Sequence, residues 1–269
     1  MPDAEPRAES HFGAELKAHR AQRGWTQVQL GEKIGFSGSF VSDVERNDRA
    51  ASLDFAQRCD EAFALPGTFE RAHEVAKRAA YPAWFYPVIP FEETAERIHE
   101  WEIGAVPGLL QTERYARAVI RARRPRDDDA TIERTVTARM ERQEILARER
   151  RPLLWCVLHE GVVRHVVGDQ EIMGEQLDKL IKAADAPGIV LQVLPFTAND
   201  HAGVEGPIVV YERPSAPAVA YTECHGGGRI IEASEEVGDV MTVVGMLRAS
   251  ALPPRDSAAL LRQIRRELE

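Results

Sequence analysis

With 269 residues, the chain is long enough for two domains with separate hydrophobic cores. Its 44% hydrophobic and 29% charged residues exclude a disordered chain, and no apolar run approaches the roughly 20 residues of a membrane span. The formal net charge of −9 argues against a protein that coats nucleic acid non-specifically, because neutralising phosphates requires a surplus of Lys and Arg.

The first ten residues, Met1–Ser10, are polar and acidic. They lack the basic start and the apolar stretch that are typical of an export signal, so we expect a cytoplasmic protein. The three cysteines, Cys59, Cys156 and Cys224, are scattered singly along the chain. Their odd number and unpaired spacing predict reduced thiols rather than disulfides or a zinc site.

Four short amphipathic helices are predicted between residues 12 and 66. Gly24 ends the first helix, and Thr26 with Gln29 three positions later forms the capping box of the second. Gly35 supplies the next turn, and Ser37 caps a third helix. The residues expected to face a common core are Phe12, Leu16, His19, Val28, Leu30, Ile34, Val41, Val44, Leu53, Phe55, Ala56, Cys59 and Phe63.

The third helix has an outward face that its core contacts leave free. Val41 and Val44 are three positions apart and turn inward. The outward face is expected to carry Ser39, Phe40, Asp43 and Arg46. Periodicity of this kind also fits a plain helical bundle, but the combined spacing of caps, turn glycine and inward valines favours a more specific interpretation.

That spacing resembles the Cro/CI (XRE) family of helix-turn-helix regulators. The match covers Trp25-Thr26-Gln27, Leu30-Gly31, Ile34-Gly35, Ser37, Val41-Ser42 and Val44-Glu45. The resemblance implies sequence-specific binding to double-stranded DNA, with the third helix in the major groove. It implies that Gln27 contacts the DNA backbone or a flanking base. The family usually has Gly where this chain has Asn47, and Asn also tolerates a left-handed backbone.

The residues that we predict to bind DNA are Thr26, Gln27, Ser37, Gly38, Ser39, Phe40, Ser42 and Arg46. The segment from Ser10 to Pro66 is close to neutral, so a single copy offers few contacts to phosphates. We therefore expect a homodimer on an inverted-repeat operator.

A basic, alanine-rich helix over residues 70–80 leads to the aromatic and proline-rich segment Tyr81–Pro87, where the prolines stop helix formation. The aromatic residues are expected to pack this linker onto a domain rather than to bind a ligand. We predict a DNA-binding domain over residues 10–68, a linker helix with the aromatic segment over 69–90, and an α+β domain over 91–269.

The remaining chain is predicted to be α+β. Residues Glu93–Ile103 fit either a strand or a helix, and periodicity does not decide between them. Strands are predicted at Leu153–Leu158, Ile189–Leu194, Ile208–Tyr211, Ala218–Thr222 and Arg229–Glu232. Helices are predicted after the cap Thr112 and over Thr131–Arg148, Glu171–Ala184, Ser234–Ser250 and Pro254–Leu268.

Four segments of this second domain resemble the actinobacterial WhiJ-type regulators, a family also described as antitoxin-like, of the Scr type. The segments are Pro107–Thr112, Tyr115–Ala118, Arg139–Gln143 and Gln192–Phe196. The resemblance implies a repressor whose C-terminal domain binds a small acidic protein encoded nearby. The expected contact is an arginine-rich surface with Arg117, Arg121 and Arg124, although alternating charge is also typical of a solvated helix face.

We predict neither an enzyme nor a bound metal or other cofactor. His159 and His165 are six positions apart, whereas a helical zinc pair needs four. Gly226-Gly227-Gly228 predicts a tight hairpin turn, because no Lys-Ser/Thr pair follows it as in a phosphate loop. A weaker alternative is a metal-dependent site built from His201, His225, Asp200, Glu205 and Glu223.

A small-molecule sensor is the main alternative for the second domain. A cavity lined by Trp155, His159, Tyr211 and Tyr221 would favour that alternative, whereas a filled core would favour protein recognition.

Overall fold

This computed structural model describes residues 8–268. The chain divides into two compact units, one formed by the chain up to Ala83 with Arg126–Ala138 and the other by Trp84–Pro125 with the chain from Arg139 onward. None of the helices in the described residues is both long and apolar enough to cross a bilayer. The prediction about an export signal concerns Met1–Ser10, of which residues 1–7 lie outside the described residues.

The first unit begins with helices joined by tight turns. They are α1 (Ala8–Gln22), α2 (Gln27–Ile34), α3 (Gly38–Glu45), α4 (Leu53–Phe63) and α5 (Thr68–Ala80). The predicted capping box is confirmed, because Thr26 Oγ1 accepts from the Gln29 amide at 3.1 Å and Gln29 Oε1 accepts from the Thr26 amide at 2.8 Å. Ser37 caps α3 as predicted. Gly35 and Asn47 have left-handed backbones, with φ values of 74° and 61°.

Phenylalanine rings fill the core of this unit. Phe69 from α5 lies 5.3 Å from Phe12 and 5.7 Å from Phe63, measured between ring centroids. Asp60 on α4 holds the start of α5, because its carboxylate accepts from the Phe69 and Glu70 amides, both at 2.9 Å. Helix α5 therefore belongs to the core that α1 to α4 begin.

Three expectations about which side chains face the core were wrong. Val28 is 58% exposed and Leu53 is 45% exposed. Val28 precedes the buried Leu30 by two positions, which is about 200° around a helix, and Leu53 is the first residue of α4. Phe40, predicted to point outward, is half-buried and packs against Phe36 and Phe55, at centroid distances of 4.9 and 5.2 Å.

The α+β class predicted for the chain is confirmed by a six-stranded mixed sheet that follows the helical unit. Its strands are β1 (Arg97–Glu102), β2 (Leu153–His159), β3 (Ile189–Leu194), β4 (Ile208–Arg213), β5 (Ala216–Cys224) and β6 (Gly227–Ile231). The helices after α5 are α6 (Ile89–Glu93), α7 (Glu113–Arg123), α8 (Asp129–Arg142), α9 (Glu160–Arg164), α10 (Gln170–Ala184), α11 (Ser234–Ser250) and α12 (Pro254–Glu267).

The strand order is β3-β2-β1-β4-β5-β6, with β1, β2 and β3 parallel and the other pairs antiparallel. The segment Glu93–Ile103, which the sequence left open, contains the central strand β1. The helix expected over Thr131–Arg148 ends at Arg142 and continues as a 3-10 turn over Gln143–Ala147. The glycine run after His225 belongs to the β5–β6 hairpin, as predicted.

The two faces of the sheet have separate cores. The first face carries Ile98 and Tyr211 and is covered by α10 and α12 through residues such as Leu177 and Leu261. The second face carries Trp101 and is covered by α11 through residues such as Leu247.

This division excludes the common cavity of Trp155, His159, Tyr211 and Tyr221 that would have favoured a small-molecule sensor. Trp155 and His159 lie on the second face, whereas Tyr211 and Tyr221 lie on the first. Side chains on opposite faces of one sheet cannot line a common cavity, because successive residues of a strand alternate between the faces.

Candidate nucleic-acid interface

Two glycines let α2 and α3 approach backbone to backbone. A Cβ atom added at Gly31 would lie 2.5 Å from the carbonyl oxygen of Phe36. One added at Gly38 would lie 3.0 Å from Val28 Cα and 2.8 Å from its Cγ2. Larger residues at these positions would force the helices apart, so the pair of glycines fixes the geometry of the helix-turn-helix.

A buried carboxylate connects the ends of three elements. Glu45, whose side chain is 3% exposed, accepts from Arg20 at 2.5 and 2.9 Å and from Gln27 Nε2 at 2.9 Å. The hydrogen bond to Glu45 raises the pKa of Arg20. Arg20 also donates to the Trp25 carbonyl at 2.8 Å. Gln27 therefore ties the first turn of α2 to the last turn of α3.

The exposed side of α3 is polar and electrically balanced. Ser37 Oγ and Ser39 Oγ are 2.9 Å apart. Arg46 donates to Ser42 Oγ at 2.6 Å and to Asp43 and Asp48, both at 2.7 Å. The hydrogen bond to Asp48, followed by the charges of both aspartates, raises the pKa of Arg46. A DNA phosphate would have to compete with these carboxylates for the guanidinium.

The eight predicted DNA-binding residues all lie on or next to α2 and α3, but they have different local roles. Thr26 and Ser37 use their hydroxyls as helix caps, Gly38 makes the close helix contact and Phe40 packs into the core. Of the other four, Ser39 and Arg46 are exposed, whereas Gln27 and Ser42 are half-buried.

Two cations beside these helices were missed by the sequence reasoning. Lys33 Nζ lies 4.8 Å from the centre of the Trp25 ring, and the guanidinium carbon of Arg49 lies 4.3 Å from the centre of the Phe40 ring. Neither contact follows helical periodicity. The helical segment has almost no net charge, so any positive field must come from a few residues. That near-neutral charge was the one signal in the sequence for such cations.

The Pro107–Thr112 and Arg139–Gln143 segments meet in the second unit. Gln143 Nε2 donates to the carbonyls of Gly108 and Gln111, both at 2.8 Å. Lys179 Nζ donates to the same Gln111 carbonyl and to Gln143 Oε1, both at 2.7 Å. Burial lowers the pKa of Lys179.

Further contacts hold the same turn. Arg139 donates to Gln111 Oε1 at 3.1 Å, and Gln176 bonds both the Leu110 carbonyl at 2.8 Å and the Thr112 amide at 2.7 Å. These two motifs therefore form a hydrogen-bonded network that holds the turn in place.

The arginines predicted to bind a partner are engaged within the protein. Arg117 pairs with Glu113 at 2.7 Å, one helical turn away. Arg121 and Arg124 also interact with other groups of the protein. Such pairing is typical of a solvated helix face, so their role in binding stays a prediction.

The structure does not assemble the metal site considered from the sequence. In the described residues no group of three or more His, Cys, Asp or Glu side chains could hold a metal ion. His201 packs against Trp101 and His159, with centroid distances of 5.7 and 5.8 Å, and His225 lies in the β5–β6 turn.

Two family models match the chain. A helix-turn-helix domain model matches residues 11–73, and a model described as a domain of unknown function (DUF5753) matches residues 87–263, which is more than half of the chain. No curated protein and no solved structure matches it. The matches support an XRE-like helix-turn-helix regulator, whereas the WhiJ-type resemblance rests on the sequence motifs alone.

Proposed function

Because the chain belongs to the DUF5753 family and carries a helix-turn-helix domain before it, we propose that it is a sequence-specific DNA-binding transcriptional repressor of the cytoplasm. The observation that carries this proposal is the packing of α2 against α3 through Gly31 and Gly38, with the exposed Ser39 and the half-buried Ser42 on α3. Helix α3 would lie in the major groove and present both hydroxyls to base edges.

Selection from a random duplex library with the full chain tests the proposal. We expect enrichment of one sequence, bound at least about 1,000-fold more tightly than a scrambled duplex at the same salt concentration. Ser39→Ala with Ser42→Ala should reduce that ratio, and Ser250→Ala at the end of α11 is the matched control. A library that stays unenriched would contradict DNA recognition.

We further propose that the DUF5753 domain binds a small acidic protein and thereby tunes repression, as the WhiJ-type resemblance implies. Arg117, Arg121 and Arg124 on and just after α7 provide the positive charge for that contact. Replacing all three with Glu should slow association with a protein encoded beside this one and flatten its salt dependence. Unchanged association rates would exclude this surface.

A further inference from the structure

The segment between α3 and α4 is held at both of its ends. Asn47 has a left-handed backbone and donates its amide to the Val44 carbonyl at 3.0 Å. Asp48 donates its amide to the Asp43 carbonyl at 2.9 Å. These two bonds form a Schellman motif, which ends the helix. At the other end of the segment, the Ser52 side chain caps α4.

Arg49, in the middle of this segment, lies over the Phe40 ring. Its guanidinium carbon is 4.3 Å from the ring centre, within the range of a cation–π contact. Phe40 follows the exposed Ser39 in the first turn of α3, the end that would enter the major groove. The ring is fixed in turn by Phe36 and Phe55. Arg49 is therefore positioned beside the groove-facing end of α3, although it follows the helix in sequence.

The charge of Arg49 is not neutralised within the part of the chain that the structure describes. Arg49 is exposed, and no described carboxylate forms an ion pair with it. Arg46 on α3 differs, because two aspartates bind it. Arg58 on α4 is likewise paired with Asp54, at 2.9 Å. A DNA phosphate would therefore meet no competing carboxylate at Arg49.

Lys33 on α2 is a matched cation that points elsewhere. Its ammonium also lies over an aromatic ring, 4.8 Å from the centre of Trp25, and no described carboxylate pairs with it. Val28 is the α2 residue that approaches Gly38 of α3. Lys33 comes five positions after Val28, which is about 140° around the helix, so it is turned away from α3. The two cations share one kind of contact but lie on different sides of the helix-turn-helix.

We infer that Arg49 binds a DNA phosphate beside the groove-facing end of α3 and thereby positions this helix, an inference that rests on the proposed DNA-binding function. A guanidinium presents a planar fork of N–H donors that matches two phosphate oxygens. The Phe40 ring already restrains this group, so less side-chain freedom is lost on binding. Phosphate contacts fix the register of a protein on the duplex but carry no sequence information. Arg49 therefore determines where α3 lies, whereas Ser39 contacts the base.

The salt dependence of DNA binding tests this role. The full chain is titrated with the duplex selected from the library and with a scrambled duplex, over a range of salt concentrations. We expect Arg49→Gln to reduce the slope of log Kd against log salt concentration by about one for each bound copy. It should weaken both duplexes by the same factor, about tenfold at low salt. Arg49→Lys keeps the charge and should restore the slope.

Lys33→Gln is the matched control, because it removes an equally unpaired cation from the side of α2 that faces away from α3. Its slope should equal that of the unmodified chain. A loss of affinity in Arg49→Gln with an unchanged slope would show that Arg49 acts through folding alone, and an equal loss of slope in Lys33→Gln would show only a general charge effect. Either result would overturn the inference and leave DNA recognition intact. Failure of the unmodified chain to bind any duplex would contradict the proposed function as well.

Discussion

Ser39 and Phe40 are neighbours in α3, but of these two only Ser39 has a side chain exposed enough to contact a DNA base. The Phe40 ring contacts Phe36 and Phe55 and lies beneath the guanidinium of Arg49. Replacing Phe40 would therefore change the stability of the module together with any DNA contact, whereas Ser39 is exposed. Replacing Gln27 would likewise change both the stability of the module and any DNA contact, because its side-chain amide also donates to Glu45.

We expect Ser39→Ala to reduce discrimination between the selected operator and single-base variants. One lost base contact should be worth roughly 1 to 3 kcal/mol at the contacted position, with little change for the other positions. Gel-shift titrations against a set of operator variants measure this effect. Gln27→Ala is the comparison, since it should weaken all sequences about equally.

Glu100 makes the stability of the second domain depend on pH. Its carboxyl keeps its proton in the folded chain up to about pH 7, whereas the unfolded chain releases it near the ordinary pKa of Glu. The unfolded state then binds fewer protons, so the free energy of unfolding falls as the pH rises between these two values. We expect Glu100→Gln to remove most of this loss, which is on the order of 3 kcal/mol.

Denaturant unfolding of both proteins at pH 5 and pH 8 measures this difference. The two should be similar at pH 5, and Glu100→Gln should be the more stable at pH 8. Parallel pH profiles would contradict the raised pKa of Glu100.

At the scale of elements, the turn between α2 and α3 has no room for a side chain at Gly31. The nearest atoms to an added Cβ are backbone atoms of Phe36 and Ser37, which cannot move without opening the turn. We expect Gly31→Ala to destabilise the helix-turn-helix unit by about 1 to 3 kcal/mol and to weaken DNA binding.

Gly238→Ala in α11 is the matched control, because an added Cβ there meets nothing within 4 Å. That replacement should stabilise its helix by up to about 1 kcal/mol. Thermal unfolding of the full chain should therefore give shifts of opposite sign for the two variants. A destabilising Gly238→Ala, or a neutral Gly31→Ala, would refute this account.

Local signals predicted the helices of the first unit well, and pairing between distant segments explains what the sequence missed. The caps Thr26, Ser37 and Thr112 act within three residues of their own positions, so their spacing was readable. Strand β1 was ambiguous because Glu100 and Glu102 interrupt its apolar pattern, and its partners β2 and β4 lie more than 50 residues away.

The whole molecule is expected to bind DNA as a homodimer. Arg46 is already paired with two aspartates, so one module offers few unpaired cations to phosphates. Two copies double both the phosphate contacts and the bases read. We expect an inverted repeat with half-sites about 10 base pairs apart or a multiple of that distance. Footprinting with sedimentation of the complex measures this, and a monomer on one asymmetric half-site would disprove it.

Helix α5 sets the C-terminal limit of the fragment that can be transferred to another protein as a functional DNA-binding domain. A fragment that ends at Pro66 would lose the fully buried Phe69 ring and would leave the Asp60 carboxylate without its two amide donors. It would also expose the faces of Phe12 and Phe63 that Phe69 covers. Such a fragment should therefore aggregate, whereas one that continues to Ala80 should remain soluble. A hybrid regulator with a new DNA specificity would therefore need α5 together with the helix-turn-helix.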